Sequence, residues 1–303
     1  MRHLLALLVL LPATHALRAY FRRRLKQPRN EVDVVVKFGG SAMTDKGKFE
    51  TLAGMSLQTA SSAIASGKAR CVVIHGAGSF GHFQAREFGV SKGTAHPSFS
   101  WEGFAATRAS VCKLNGLVVS SLLAAGVAAV GVPPFPMYST RGKGVVPRRA
   151  QALGLDRLRS LLSAGLTPVL HGDAVLDELQ GCSILSGDTL TVLVALALRP
   201  RLAVFLTDVA GVYDRPPSEE GATLLERIAV ARDGTLRVTA RTSVRSDVAD
   251  VTGGLQTKLE AAAELARHGV PVVIVQVDTE HAATALRGEV PRVCTLVSAE
   301  DQD

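Results

Sequence analysis

Residues 71–82, Cys71-Val-Val-Ile-His-Gly-Ala-Gly-Ser-Phe-Gly-His82, decide how this chain is read. The apolar run Val72, Val73, Ile74 fits a strand buried inside a parallel sheet, and it breaks into a loop that carries Gly76, Gly78 and Gly81. Glycines so placed let backbone N–H groups approach an anion closely just ahead of a helix start, and His82 stands where a side chain can meet the same anion. Gly76-Ala-Gly-Ser-Phe-Gly81 also satisfies G-x-G-x-x-G, the dinucleotide fingerprint, with Glu102 near the spacing of a ribose-binding acid. The rest of the chain has to arbitrate.

On the N-terminal side, Glu31 to Phe38 reads as a strand that ends in Gly39-Gly40-Ser41, with a helix expected over Lys48 to Ser66. On the C-terminal side, Ser100 to Ala125 is a long helical stretch leading to a strand at Val127 to Val132, which Pro133-Pro134 stops. Arg141-Gly-Lys-Gly144 opens a basic loop, Ala150 to Ala164 a helix, and Thr167 to His171 a strand ending in Gly172-Asp173. A hairpin is expected over Ala174 to Ile184, then Ser186-Gly-Asp-Thr189 caps an apolar helix that runs on to Leu198. The strand Leu202 to Leu206 follows, then the loop Thr207 to Asp214 and short strands within 222–246. Gly253-Gly254 opens a helix to His268, before a strand at Val270 to Val277, a short helix at Glu280 to Arg287 and a last strand at Val293 to Val297. Strands alternating with helices predict an α/β fold, a mainly parallel open sheet sandwiched between helices. In such folds the loops at the carboxyl ends of the strands gather into the site, and nearly every glycine-rich turn here lies at such an end.

The formal charge of +7 belongs to one segment. Seven of the 34 Lys and Arg fall in residues 1–30, which hold no acid, and the remaining 27 face 27 Asp and Glu. The body is therefore balanced, and no nucleic-acid partner is expected. Residues 4–11, Leu-Leu-Ala-Leu-Leu-Val-Leu-Leu, after Arg2 and before Ala13-Thr-His-Ala16, have the layout of a signal peptide and are too short for a comfortable membrane span. The arginine-rich stretch Leu17 to Asn30 resembles a transit peptide, and the two together form a bipartite plastid address. The alternative is plain secretory targeting or an uncleaved anchor, and without a functional leader the protein is cytoplasmic. Residues 1–30 are set aside as a leader, and 31–303 are expected to form one catalytic domain. Cys71, Cys112, Cys182 and Cys294 lie far apart with neither zinc nor disulfide spacing, so buried free thiols are expected.

Basic residues beside the glycine turns, Lys37, Lys46, His82 and Lys258, suit several phosphates converging in one cleft, yet no Walker sequence is present. Together these residues carry a resemblance. From about 33 to 297 the chain resembles the amino acid kinase family, and within it the isopentenyl phosphate kinases. The likeness rests on Lys37-Phe-Gly-Gly-Ser-Ala-Met-Thr-Asp-Lys46, Gly76 to His82, His171-Gly-Asp173, Ser186-Gly-Asp188, Thr207-Asp-Val-Ala-Gly-Val-Tyr213 and Thr252-Gly-Gly-Leu-Gln-Thr-Lys258, in that order. It implies transfer of the ATP γ-phosphoryl group to a small isoprenoid monophosphate. Lys37 and Lys258 would hold the ATP phosphates, Lys46 would stabilise the moving group, His82 would donate to the acceptor phosphate, and Asp188 would orient the lysines. Gly39, Gly40, Ser41, Gly78, Asp208, Tyr213 and Gly254 would join Lys37 and Lys258 around the nucleotide, and Gly76, Ala77 and Gly187 would line the acceptor. Mg2+ would sit mainly on phosphate oxygens, with no protein metal ligands, and a homodimer is expected. The chain departs from the family's usual glycine at Ala77 and from its common acid at Ala210.

Each residue also has a bland reading. Lys37, Lys46 and Lys48 can be solvated charges, His82 a helix cap, Asp188 an N-cap, and Phe83, Phe88, Phe99, Trp101 and Phe104 ordinary core rather than the wall of a tail pocket. A kinase for another small phosphate or phosphonate, and a non-catalytic binding module of the same fold, are the competing functions. The dinucleotide reading explains Gly76 to Gly81 and nothing else.

Overall fold

The computed structural model describes residues 31–142, 146–240, 243–245 and 254–300. The expected leader, Lys143-Gly144 of the basic loop, and Thr252-Gly253 of the last motif lie outside those residues. In chain order the elements are β1 (Val34–Phe38), α1 (Gly40–Met43), α2 (Ser56–Gly67), β2 (Cys71–His75), α3 (His82–Glu87), α4 (Trp101–Ala124), β3 (Ala129–Gly131) and α5 (Arg148–Ser163). Then come β4 (Thr167–His171), β5 (Asp173–Asp177), β6 (Gly181–Leu185), α6 (Gly187–Leu198), β7 (Leu202–Thr207), β8 (Arg227–Val230), β9 (Leu236–Ala240) and β10 (Ser243–Arg245). The chain closes with α7 (Gly254–Arg267), β11 (Val272–Gln276), α8 (Glu280–Leu286) and β12 (Thr295–Ala299).

Ten strands form one sheet in the order β10-β9-β8-β12-β11-β7-β1-β2-β4-β3. Its centre, from β11 to β3, is parallel, while β12 turns back antiparallel to β11 and β8–β9–β10 is an antiparallel edge. Valine-rich strands buried on both faces are what a parallel centre requires, and β1 and β2 are buried at every residue. β5 and β6 pair separately as the hairpin.

Side-chain alternation splits the core in two. Val35, Val72, Ile74, Leu170 and Phe205 pack with Leu158, Leu190, Val194 and Leu265 of α5, α6 and α7. Val34, Val36, Phe38, Val73 and Val169 pack on the other face with Leu57, Leu114 and Ala285 of α2, α4 and α8. The same alternation places Lys37 on the α6 face, and His75 and His171 on the α4 face.

Two expectations shift. The helix expected from Lys48 begins only at Ser56, because residues 44–55 fold into a small loop. A bridge between Thr44 and Leu52 and the left-handed residues Glu50 (φ 48°) and Gly54 (φ 50°) close that loop. The turn expected at Gly39-Gly40-Ser41 opens directly into α1.

Candidate functional site

The turns after β1, β2 and β4 meet the start of α6 at the carboxyl edge of the central strands. Gly76 N–H donates to the Phe38 carbonyl at 3.0 Å, and Gly172 N–H to the His75 carbonyl at 2.8 Å. The backbones lie so close that a Cβ on Gly40 would stand 2.7 Å from Gly78 N, and one on Gly187 3.1 Å from the His75 oxygen. Gly78 itself takes φ +51°. Among the described residues the N–H groups of Gly40, Ala77, Gly78, Gly187 and Asp188 have no hydrogen-bond partner. Unpaired amides gathered at the N-terminus of a twelve-residue helix make an anion site.

The helix is capped by Ser186, whose Oγ accepts from Thr189 N–H at 3.1 Å. Asp188 is thereby free of the capping role and faces Lys37 instead, Nζ to Oδ1 2.8 Å, with both side chains largely out of solvent. Lys258, on α7, is buried too and donates from Nζ to Thr207 Oγ1 at 3.0 Å. Burial, then the charge of Lys37, pushes the Lys258 amine down to about 8. Thr207 in turn donates to Asp208 Oδ1 at 3.0 Å, and Lys46 from the 44–55 loop reaches Asp208 Oδ2 at 3.7 Å. Lys46 is 74% exposed, a rim residue. Ser41 is half-buried in α1, Gly39 is buried beneath it, Gly254 starts α7, and half-buried Tyr213 bridges Leu224.

His82 is the first residue of the short α3 and is exposed. Desolvation by the surrounding loop, and secondarily Arg86, hold its imidazole below the ordinary histidine value, so its neutral form, with one N–H, prevails near pH 7. The aromatic residues divide. Phe83 is exposed and meets Phe49 edge-on at 5.9 Å, whereas Phe99, Phe104 and Phe135 belong with Phe88 to a satellite core, and Trp101, itself exposed, meets Phe99 and Phe104 edge-on at its surface.

Several site neighbours carried no role in the sequence reading. His75 and His171 are fully buried side by side, ring centroids 5.5 Å apart, beneath the glycine turns. Desolvation first, and then His171, drive His75 down to about 3, so it is neutral. Buried Asp173 receives Arg108 through Nε at 3.2 Å and Nη2 at 3.2 Å, and Arg108 lies over the Phe135 ring at 4.5 Å. Thr44 and Ser79 tie the Lys46 loop to the glycine loop: Ser79 N–H donates to Thr44 Oγ1 at 3.0 Å, and Ser79 Oγ to the Thr51 carbonyl at 3.3 Å. The signal for the histidines was the repeated His-Gly at the ends of two strands, β2 and β4, that lie side by side.

Two buried lysines, a third on the rim and converging amides define a site that positions polyanions for group transfer. A model of the amino acid kinase family matches residues 34–276. The isopentenyl phosphate kinase of Arabidopsis thaliana is 44% identical over 228 residues, 72% of this chain and 68% of that protein. That of Methanothermobacter thermautotrophicus is 32% identical over 80% of this chain and 90% of its own. An X-ray structure of isopentenyl phosphate kinase is similar at TM-score 0.72 and 29% identity, over 87% of this chain and 99% of that one. The chain belongs to the amino acid kinase family.

Proposed function

We propose that this protein transfers the γ-phosphoryl group of ATP to the phosphate of isopentenyl phosphate, giving isopentenyl diphosphate and ADP for isoprenoid biosynthesis. The observation that carries the proposal is the Lys37–Asp188 pair set with Lys258 against the glycine turns, in a chain 44% identical to a plant isopentenyl phosphate kinase. An oxygen of the acceptor phosphate forms the new P–O bond as the bond from the γ-phosphorus to the bridging oxygen breaks, and ADP leaves. The protein's part is alignment of two anions and cancellation of their charge. Lys37 and Lys258 hold the ATP phosphates with Gly39, Gly40, Ser41 and Gly254 around them. Asp188 fixes Lys37. Ala77, Gly76 and Gly187 receive the acceptor phosphate, and His82 donates to it from the mouth. Lys46 moves from Asp208 to the transferring group as its charge shifts.

Among the described residues no three His, Cys, Asp or Glu side chains gather into a metal cage, and Asp188 and Asp208 each face a lysine. Magnesium, when bound, would therefore be held by phosphate oxygens and would neutralise part of their charge. A homodimer through the outer face of α4 is part of the proposal, since Ala105, Ala109, Gly116, Leu117 and Leu123 are exposed there. Residues 1–30 are proposed as a removable plastid or secretory address.

The test is ADP release with isopentenyl, dimethylallyl and geranyl monophosphates beside inorganic phosphate and glutamate. Turnover confined to isoprenoid monophosphates supports the proposal, and turnover of glutamate alone overturns it. Because a hydrogen bond to a charged group is worth roughly 1.5–3 kcal/mol, His82→Ala should lower kcat/KM for isopentenyl phosphate about 10- to 100-fold. ATP binding should hardly change, and His82→Gln, which keeps a donor, should recover part of the loss. Equal loss toward both substrates would return His82 to a structural role.

A further inference from the structure

His75 lies behind the glycine loop, fully buried on the α4 face of the sheet and out of reach of solvent. Its Nδ1 is 2.9 Å from the carbonyl oxygen of Gly76, and its Nε2 is 3.1 Å from Asn115 Nδ2. A carbonyl only accepts, so Nδ1 carries the proton. Asn115 Nδ2 also donates to the Val169 carbonyl at 3.3 Å, which marks that atom as the amide nitrogen and makes Nε2 the acceptor. The ring is thus a neutral imidazole of one tautomer, held from both ends.

The consequence lies in the next peptide. In a trans peptide the C=O and the following N–H point in opposite directions. With the Gly76 oxygen drawn inward to His75, the Ala77 N–H must point outward, into the cleft. Glycine leaves its own ψ almost free, so without His75 the plane between Gly76 and Ala77 would be kept from turning over, and from presenting a carbonyl oxygen to the anion, only by the modest cost of carrying Ala77 from its φ of −73° to positive φ. A reversed peptide there replaces attraction by repulsion of a phosphate. His171 repeats the device on β4, its Nδ1 3.0 Å from the Gly172 oxygen, but the amide behind it belongs to Asp173 at the head of the β5–β6 hairpin. Only the His75 device serves the cleft.

We infer that His75 is a positioning residue for the acceptor phosphate: by holding the Gly76 carbonyl through Nδ1–H it locks the Ala77 N–H outward as a phosphate donor. This rests on the reading of Ala77 as part of the acceptor site. Asparagine places its amide nitrogen near the position of Nδ1, whereas glutamine places it near Nε2. The test is therefore His75→Leu, His75→Asn and His75→Gln, each assayed for kcat and for both KM values, with melting temperature alongside. His75→Leu should lower kcat/KM for isopentenyl phosphate about tenfold or more while KM for ATP stays within about twofold. His75→Asn should return to within about threefold of wild type, and His75→Gln should not. Rescue by Gln equal to that by Asn, or equal loss toward both substrates, overturns the inference. Should the variants not fold, the wild-type His75 ring is followed by 15N NMR and the Ala77 amide with inorganic phosphate as probe: a neutral ring protonated at Nδ1 together with a shifted amide supports the inference, and a ring protonated at Nε2 or an unmoved amide overturns it. Failure of the wild type to turn over isopentenyl phosphate would instead sink the functional proposal, while the ring tautomer still judges His75.

Discussion

The floor and the rim of the cleft hold their cations in opposite ways. On the floor, Lys37 comes from a fully buried strand, is 7% exposed at the side chain and lies 2.8 Å from Asp188. On the rim, Lys46 is 74% exposed, comes from the 44–55 loop and lies 3.7 Å from Asp208. An exposed pair of that length contributes at most about 1 kcal/mol, and its partner is easily exchanged, whereas breaking a buried pair typically costs about 3–5 kcal/mol. The difference separates two tasks. The floor lysine is fixed before any ligand arrives and suits ground-state binding of phosphates. The rim lysine can leave its carboxylate as charge moves, which suits a contact made only in the transition state. His82 shares the rim's exposure.

The sharpest way to break this comparison is Lys37→Met. It removes the proposed phosphate contact and leaves Asp188 largely buried without its cation, so kcat/KM should fall about 1000-fold, on the scale of about 3–5 kcal/mol for a broken buried pair. The melting temperature should fall as well, and Lys37→Met with Asp188→Asn should recover stability but not activity. A loss under tenfold in steady-state kinetics would show that the floor is not pre-set.

Lys46→Ala should have a smaller effect, about tenfold in kcat with either KM nearly unchanged and no change in melting temperature, since a contact limited to the transition state appears in kcat alone. An effect confined to the ATP KM would place Lys46 with the floor.

What the sequence makes legible follows the same division. The strand and helix order, the glycine turns and the Ser186 cap are marked by local patterns, a valine run and a Ser-x-x-Thr start, whereas the floor residues Lys37, Asp188 and Lys258 stand out only through the order of several motifs taken together. Residues 48–55 read as helix from sequence because the closure of the 44–55 loop depends on partners 28–35 residues away, Ser79 with Thr51 and Thr44. The His75–Asn115 contact spans 40 residues and the Arg108–Asp173 pair 65. No periodicity reports such contacts, because a single buried histidine in a strand looks the same whether it packs, titrates or steers a peptide.

A third expectation sharpens the floor through its pH dependence. Lys258 has a folded value of about 8 against an ordinary value near 10.5, so the folded state binds its proton less tightly than the unfolded chain. Its contribution to stability is therefore unfavourable below about 8 and improves as pH rises through 8 towards 10.5. Function runs the other way, because only the charged amine holds phosphate. The kcat/KM for ATP should decline severalfold between about pH 7 and 9, and Lys258→Arg, always charged, should flatten that slope. A slope unchanged in the arginine variant would remove Lys258 from the nucleotide contacts.

The smallest effect on activity is expected far from both floor and rim, where the described chain begins. Glu31 anchors that end: Arg159 donates to its carboxylate through Nε at 2.8 Å and Nη2 at 3.1 Å, its own N–H reaches the Leu198 carbonyl at 3.1 Å, and Val32 behind it is buried. Asp33 follows, receiving the Arg70 N–H at 2.9 Å. None of these atoms lies in the cleft. A chain begun at Asn30 should match the full chain in kcat, in both KM values and in melting temperature. One begun at Val34 loses a buried valine, the ion pairs of Glu31 with Arg159 and of Asp33 with Arg201, and the hydrogen bonds of Glu31 and Asp33 to Leu198, Arg70 and Arg201, at least about 2–4 kcal/mol in all, which for a chain of this size lowers the melting temperature by about 5–10 °C or more. Its kcat measured well below that temperature should still equal wild type, because the anchor joins the ends of α5 and α6 and not the start of α6 where Asp188 stands. If the chain begun at Asn30 melts normally but loses kcat, residues 1–30 take part in the reaction, and their proposed role as a removable address fails.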